Sequence, residues 1–264
     1  MEAAFFDLDK TIVARSSPLA LGRSFYKEGL IGRGFMLKSL YAQLMFQLMG
    51  ASEGKMERMR TEAAKLTEGW DPQRVKQVVN EVIEDVITPL IYAEATELIA
   101  DHRRNGRRIV IVSSSPEEIV EPFARLLEID HWIATRPEIV DGRYTGELEF
   151  YAYGSHKATA IVELAEREGI ELERSYAYTD SITDLPMLES VGNPVVVNPD
   201  KELRRLATER GWSMETFRNP VPLRSRLPQI RASQLSTAEG ATVAAGIVGL
   251  AALAWWLTRR PPRH

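Results

Sequence analysis

Apolar positions along this chain follow two rhythms. Short runs rich in β-branched and aromatic residues occupy 3–6, 108–112, 176–179 and 194–197, each closed by a polar turn. Runs this short and this continuously apolar read as strands buried on both faces. Between them apolar residues recur at helical spacing, so strands and helices alternate. That predicts an α/β fold, a doubly wound parallel sheet with helices on both faces. The turn chemistry agrees, because Asn105-Gly106, Gly169 and Gly211 stand where helices should end. Ser115-Pro116-Glu117-Glu118 predicts a helix start with Ser115 as N-cap.

Two insertions interrupt the alternation. Residues 14–87 are too long for a simple crossover and show helical periodicity over 37–49, 55–66 and 72–87, which predicts an inserted helical cap. Residues 1–13 and 88–218 then form the core. Met45, Met49, Met56 and Met59 read as packing within the cap. The shorter insertion, 133–148, is centred on Asp141-Gly142 and predicts a hairpin flap beside the sheet.

Beyond the core, 219–239 is rich in Pro, Arg and Ser and reads as a linker. It leads to an uncharged stretch of 18 residues, 240–257. As a helix this would be about 27 Å long, close to the hydrocarbon thickness of a bilayer. The expectation is a C-terminal transmembrane helix over 240–258, with Trp255 and Trp256 at an interface and a basic tail at 259–264. Ala241, Ala245 and Gly249 fall four apart, a face that permits helix pairing and a homodimer.

Composition narrows the chemistry. With 264 residues, 44% hydrophobic and 27% charged, the chain can bury a sizeable core. A net charge of −4 gives no basic footprint for nucleic acid. There is no cysteine, so thiolate metal sites, disulfides and a cysteine nucleophile are excluded. The first residues, Met1-Glu2-Ala3-Ala4, lack the basic start of a signal peptide, and the apolar run breaks at Asp7. Together with the anchor, this places the catalytic part on the cytoplasmic face of a membrane.

In a doubly wound sheet the strand ends share one crevice at the carboxyl edge. Asp7 and Asp9 end the first strand with Thr11 behind them, and Ser113 and Ser114 end the second. Lys157 opens a later helix, and Asp180, Ser181 and Asp184 follow the strand at 176–179. Each alone fits a helix cap or a solvated charge. Together they supply carboxylates, hydroxyls and an ammonium, the set that phosphoryl transfer needs around a divalent cation. Mg²⁺, which prefers oxygen ligands and keeps several waters, suits such a set.

Asp7-Leu8-Asp9-Lys10-Thr11, the serine after a strand, the downstream lysine, and Thr179-Asp180-Ser181-Ile182-Thr183-Asp184 resemble, in order and spacing, the four motifs of the haloacid dehalogenase superfamily. The helical insertion after the first motif resembles its phosphoserine-phosphatase-like branch, subfamily IB. The resemblance implies that Asp7 is a nucleophile that becomes an aspartyl phosphate. Asp9 would serve as acid and base, its backbone carbonyl helping to hold Mg²⁺. Ser113, Ser114 and Lys157 would bind the phosphoryl group, Asp180 would ligate the metal, and Thr11, Ser181 and Asp184 would support. An acidic residue at position 9 implies a phosphatase rather than a dehalogenase, because a phosphate-ester leaving group needs a proton.

True phosphoserine phosphatases carry a glutamate shortly after the first motif, and the matching position here is Ser16. Arg58 and Arg60 are candidates for a cap arginine that meets the substrate carboxylate. The resulting expectation is a Mg²⁺-dependent phosphomonoesterase acting on a small, phosphoserine-like metabolite. Two alternatives are a membrane-associated phosphatase of a lipid or lipid-head-group phosphate and a non-catalytic, membrane-tethered binding protein. Closure of the cap over substrate is also expected, with Gly29, Gly32 and Gly34 as its flexible points.

Overall fold

A computed structural model describes residues 1–32, 64–129 and 131–219. Its centre is the strand β1 (Ala3–Phe6), whose four residues are all buried. Side chains alternate across a strand, so Ala4 and Phe6 enter one apolar core while Ala3 and Phe5 enter a second on the opposite face. That two-sided burial explains why the run shows no polar alternation.

β1 pairs in parallel with β2 (Arg108–Pro116) on one side and β5 (Tyr176–Thr179) on the other. β3 (His131–Val140) and β4 (Arg143–Phe150) extend the sheet beyond β2; β6 (Asn193–Val197) and β7 (Ser213–Glu215) extend it beyond β5. The strand order is β4-β3-β2-β1-β5-β6-β7, antiparallel only between β3 and β4. The chain winds outward from β1 in one direction and then returns to wind the other way. β1 is therefore the topological switch point, where ligands of such sheets bind.

One core packs against α1 (Ser17–Lys27), α2 (Pro72–Val82), α3 (Ala93–Arg104) and α4 (Glu117–Leu126). The other packs against α5 (Ser155–Glu168), α6 (Leu185–Glu189) and α7 (Lys201–Arg210). Gly169 and Gly211 close α5 and α7 at φ 67°, the left-handed conformation that a residue with a Cβ adopts only at a cost.

Four expectations need correction. The 133–148 hairpin does not stand beside the sheet: the first half of β3 pairs with β2, and the second half continues outward to pair with β4. Its Asp141-Gly142 turn has positive φ at both positions, 50° and 73°, as a tight two-residue hairpin demands. Ser115 is not a helix N-cap, because β2 runs on through Pro116 and α4 starts at Glu117. The 72–87 helix changes winding at Ile83–Ile87 to a π-turn, then to a 3₁₀ turn at Thr88–Leu90; Pro89 has no N–H with which to continue the α ladder.

The fourth is the membrane anchor. No helix among the described residues is long and apolar enough to cross a membrane. The longest, α5, has 14 residues, about 21 Å, against the roughly 30 Å that a span must cover. The transmembrane helix and the placement at a membrane's cytoplasmic face are withdrawn on this finding. Residues 240–258, the linker beyond Asn219, the basic tail and the Ala241/Ala245/Gly249 face lie outside the described residues. So do Gly34, Met45, Met49, Met56, Met59, Arg58, Arg60 and most of the 37–66 periodicity.

The two crossings between core and insertion lie side by side. Ala14 N–H donates to Leu90 O (2.8 Å), Tyr92 N–H donates to Ile12 O (3.0 Å), and Val13 forms an antiparallel bridge with Ile91. At the far end, Gly69 N–H donates to Tyr144 O (2.8 Å) and Tyr144 N–H to Trp70 O (3.0 Å), tying the insertion to β4. Gly146 allows this approach: a Cβ there would stand 3.2 Å from Lys65 Cα.

Beneath the sheet, His102 is buried against Phe6, Tyr176 and Tyr178. Arg107 can only donate to its Nδ1 (3.4 Å), so Nε2 carries the proton and donates to Tyr178 Oη (2.8 Å). Burial, with Arg107 adding to it, pushes the imidazole down to about 4. The unfolded chain protonates near the ordinary value of about 6.5. The stability held by neutral His102 is therefore complete above that pH and is lost as pH falls from about 6.5 to about 4. Urea unfolding at pH 7 and pH 4 should show the native chain losing more stability than His102→Gln, by up to about 3 kcal/mol.

Candidate active site

The site forms where β1 ends. Asp7 N–H donates to Tyr178 O (2.9 Å), which continues the β1–β5 ladder by one residue and fixes the Asp7 backbone. The chain then turns tightly, with Ile12 N–H and Val13 N–H both donating to Leu8 O (3.0 Å each). Lys10 takes a left-handed conformation in that turn (φ 64°).

Lys157, on the first turn of α5, is 2% exposed and reaches two carboxylates. Its Nζ donates to Asp7 Oδ1 (2.7 Å) and to Asp184 Oδ2 (2.9 Å). Thr179 Oγ1 also donates to Asp184 Oδ2 (2.7 Å). Burial disfavours the ammonium, but Asp184 and Asp7 outweigh it and raise its pKa. Asp184 thus holds Lys157 in place beside Asp7.

The carboxylates outnumber the cations. Burial is the first cause that pushes Asp7 up to about 8, with Lys157 opposing, and burial likewise raises Asp9. Asp180 is pushed up to about 6 by burial despite Lys10, whose exposed Nζ stands 3.7 Å from Asp180 Oδ2. Four acidic side chains meet two ammonium groups, one of them in solvent. A divalent cation would restore the balance and return Asp7 and Asp180 to carboxylates, so the donor set fits Mg²⁺. Among the described residues no three His, Cys, Asp or Glu side chains gather into a metal cage.

The Asp9 side chain is engaged elsewhere. Oδ1 accepts from Ser17 N–H (2.7 Å) and Oδ2 from Ser115 Oγ (3.3 Å), while the two hydroxyls lie 3.2 Å apart. Ser113 is buried, and its Oγ accepts from Ser115 N–H (3.1 Å), so the hydroxyl proton is directed away from that bond. Ser114 is half-buried and its carbonyl accepts from Thr135 Oγ1 (2.8 Å). Thr11 is fully buried, its hydroxyl without a hydrogen-bond partner among the described residues. Ser181 caps the turn at Ile182–Asp184, its Oγ accepting from Thr183 N–H.

Sequence reasoning overlooked Ser17 and Asp200 and misread Ser115. Asp200 caps α7 through Glu202 N–H (3.0 Å) and Leu203 N–H (2.8 Å), and its other oxygen accepts from Ile182 N–H (2.8 Å). Its own N–H donates to Asp180 O (2.8 Å). The capping signature of Asp200 is visible in sequence; its grip on the Asp180 turn needs the fold.

The haloacid dehalogenase-like hydrolase family model matches residues 4–189, a span that contains Asp7, Asp9, Ser113, Lys157, Asp180 and Asp184 but not Asp200. The chain belongs to this family. It is 53% identical over 250 residues to a protein of Mycobacterium tuberculosis named as a probable phosphatase, covering 95% of this chain and 86% of that one. It is 37% identical over 218 residues to a phosphoserine phosphatase of the same organism, covering 82% and 71%. A solved phosphoserine phosphatase holding an analogue of the phospho-aspartyl intermediate shares the fold, with a TM-score of 0.60 and 20% identity, covering 83% of this chain and 94% of that one. The expectation of a phosphatase of the haloacid dehalogenase-like, phosphoserine-phosphatase-like kind is borne out at that level.

Removing Lys157 leaves two buried carboxylates without a counter-charge. Lys157→Met should lower stability at pH 7 by about 3 kcal/mol in urea unfolding. Adding Asp184→Asn to it should restore a substantial part of the loss.

Proposed function

We propose that this hydrolase is a Mg²⁺-dependent phosphomonoesterase that works through an aspartyl phosphate on Asp7 and acts on a small, phosphoserine-like metabolite. The observation that carries the reading is the buried Asp7–Lys157–Asp184 chain at the sheet's switch point. It fixes one nucleophilic carboxylate and one phosphate-binding ammonium where a substrate enters.

Asp7, Asp180 and the Asp9 carbonyl would hold Mg²⁺, which when bound would supply charge neutralisation for the phosphoryl oxygens. The chain's own groups do the rest. Asp7 attacks phosphorus, forming an O–P bond as the bond to the leaving oxygen breaks. That oxygen takes the proton of the Asp9 carboxyl. The Asp9 carboxylate then accepts a proton from the water that attacks the aspartyl phosphate, which releases phosphate and regenerates Asp7. Lys157, Ser113 and the backbone about Ser114 hold the phosphoryl oxygens, and residues 14–87 act as the cap that excludes bulk water.

Substrate identity rests with that cap. Ser16 precedes α1 with no side-chain cap bond and brings no carboxylate to an amino group. Phosphoserine itself therefore lacks one of its distinguishing charge partners at this position. The lipid-phosphate and tethered-binding readings lose their motive with the anchor.

Phosphate release from p-nitrophenyl phosphate should require Mg²⁺, stop with chelator, and fall by at least about a thousandfold in Asp7→Asn, a loss of the order expected when an essential nucleophile is removed. A wild-type chain that releases no phosphate with Mg²⁺ present would overturn the reading. A panel of phosphorylated metabolites that includes phosphoserine then ranks substrates.

A further inference from the structure

Ser115 stands between two parts of the site. Its hydroxyl, 3% exposed as part of a buried residue, donates to Asp9 Oδ2, and its backbone N–H donates to Ser113 Oγ. Asp9 Oδ1 is already fixed by Ser17 N–H at 2.7 Å, at the first residue of α1. A carboxyl held at one oxygen can still turn about its Cβ–Cγ bond, and a second donor on the other oxygen stops that rotation. Ser17 Oγ, fully buried and 3.2 Å from Ser115 Oγ, completes a closed ring of Asp9, Ser17 and Ser115.

We infer that Ser115 is a positioning residue for acid–base catalysis: it orients the Asp9 carboxyl and fixes Ser113, so one residue sets the spacing between the bound phosphoryl group and the proton its leaving oxygen needs. The inference rests on the function proposed above and deepens it. It also accounts for the course of the chain, because β2 runs on past Ser113 to Pro116 instead of releasing Ser115 to cap α4. The hydroxyl that would satisfy a helix end is used on Asp9.

The step it serves is the transfer of the Asp9 proton to the leaving oxygen as the P–O bond breaks and the Asp7 O–P bond forms. An alkoxide needs that proton; a nitrophenolate leaves without it. A misoriented Asp9 therefore lowers kcat/KM, which reports the steps up to departure of the leaving group, selectively for alkyl esters; its effect on the later water attack is common to all esters and shows in kcat, whereas a general loosening of the fold or of phosphate binding lowers kcat/KM for all esters alike.

The test compares p-nitrophenyl phosphate, phenyl phosphate and an alkyl phosphate as substrates for wild type, Ser115→Ala and Ser115→Thr, with thermal unfolding to confirm that each is folded. Ser115→Ala should lower kcat/KM for the alkyl ester by about thirtyfold and by less than about threefold for p-nitrophenyl phosphate, a partial loss of the roughly hundredfold or more that a general acid contributes. Ser115→Thr, which keeps the hydroxyl, should recover most of the loss. Ser17→Ala leaves the backbone N–H on Asp9 and removes only the supporting hydroxyl; it should act in the same direction but more weakly, and it decides the matter if Ser115→Ala does not fold. Equal losses of kcat/KM on all three esters, or no loss on any, overturn the inference while leaving the phosphatase reading intact. Wild-type inactivity on all three overturns both.

Discussion

A lysine ammonium buried between two carboxylates is the constraint around which this molecule is arranged. Lys157 reaches Asp7 and Asp184 from a position 2% exposed, so three ionisable groups lie out of water with both carboxyls within hydrogen-bonding distance of the ammonium. Such a group is tolerable only when each charge has its partner and the surrounding backbone is rigid. β1 supplies that rigidity for Asp7, being paired on both sides and buried on both faces. β5 and the capped turn after it supply it for Asp184, with Thr179 donating to the same oxygen as Lys157.

The same arrangement leaves the site short of positive charge. Asp7 and Asp180 are both raised by burial, and Lys10 approaches Asp180 only from the solvent side. This shortfall is where a cation and a phosphate monoester would be complementary to the protein, because the ion would answer the carboxylates and the ester's oxygens would answer the ion and the lysine. Asp200 matters here although it touches neither Asp7 nor Lys157. By accepting from Ile182 N–H and donating to Asp180 O, it binds the Asp180 turn to the start of α7.

The core strands at 3–6, 108–112, 176–179 and 194–197 were legible in sequence because each is buried on both faces and so reads as an unbroken apolar run. β7 was not, since Ser213–Glu215 is exposed at the sheet's edge and carries no apolar signal. Asp7, Asp9, Ser113, Lys157, Asp180 and Asp184 could be singled out in sequence because strand ends in this topology converge. Ser115 was misread for a physical reason: a serine before Pro-Glu-Glu satisfies a capping pattern, and only the tertiary neighbour Asp9 shows where its hydroxyl goes. An uncharged run of 18 residues likewise fits a span by length alone, and no described helix of the chain meets that requirement.

The paired crossings at Ile12–Ala14 and Leu90–Tyr92 have a consequence for how such a protein can diversify. A stem closed by its own backbone ladder lets the segment above it be lengthened, shortened or rewritten while the strand that bears Asp7 stays in register. The bonds from Gly69 and Trp70 to Tyr144 limit that freedom, since any replacement must still dock on β4.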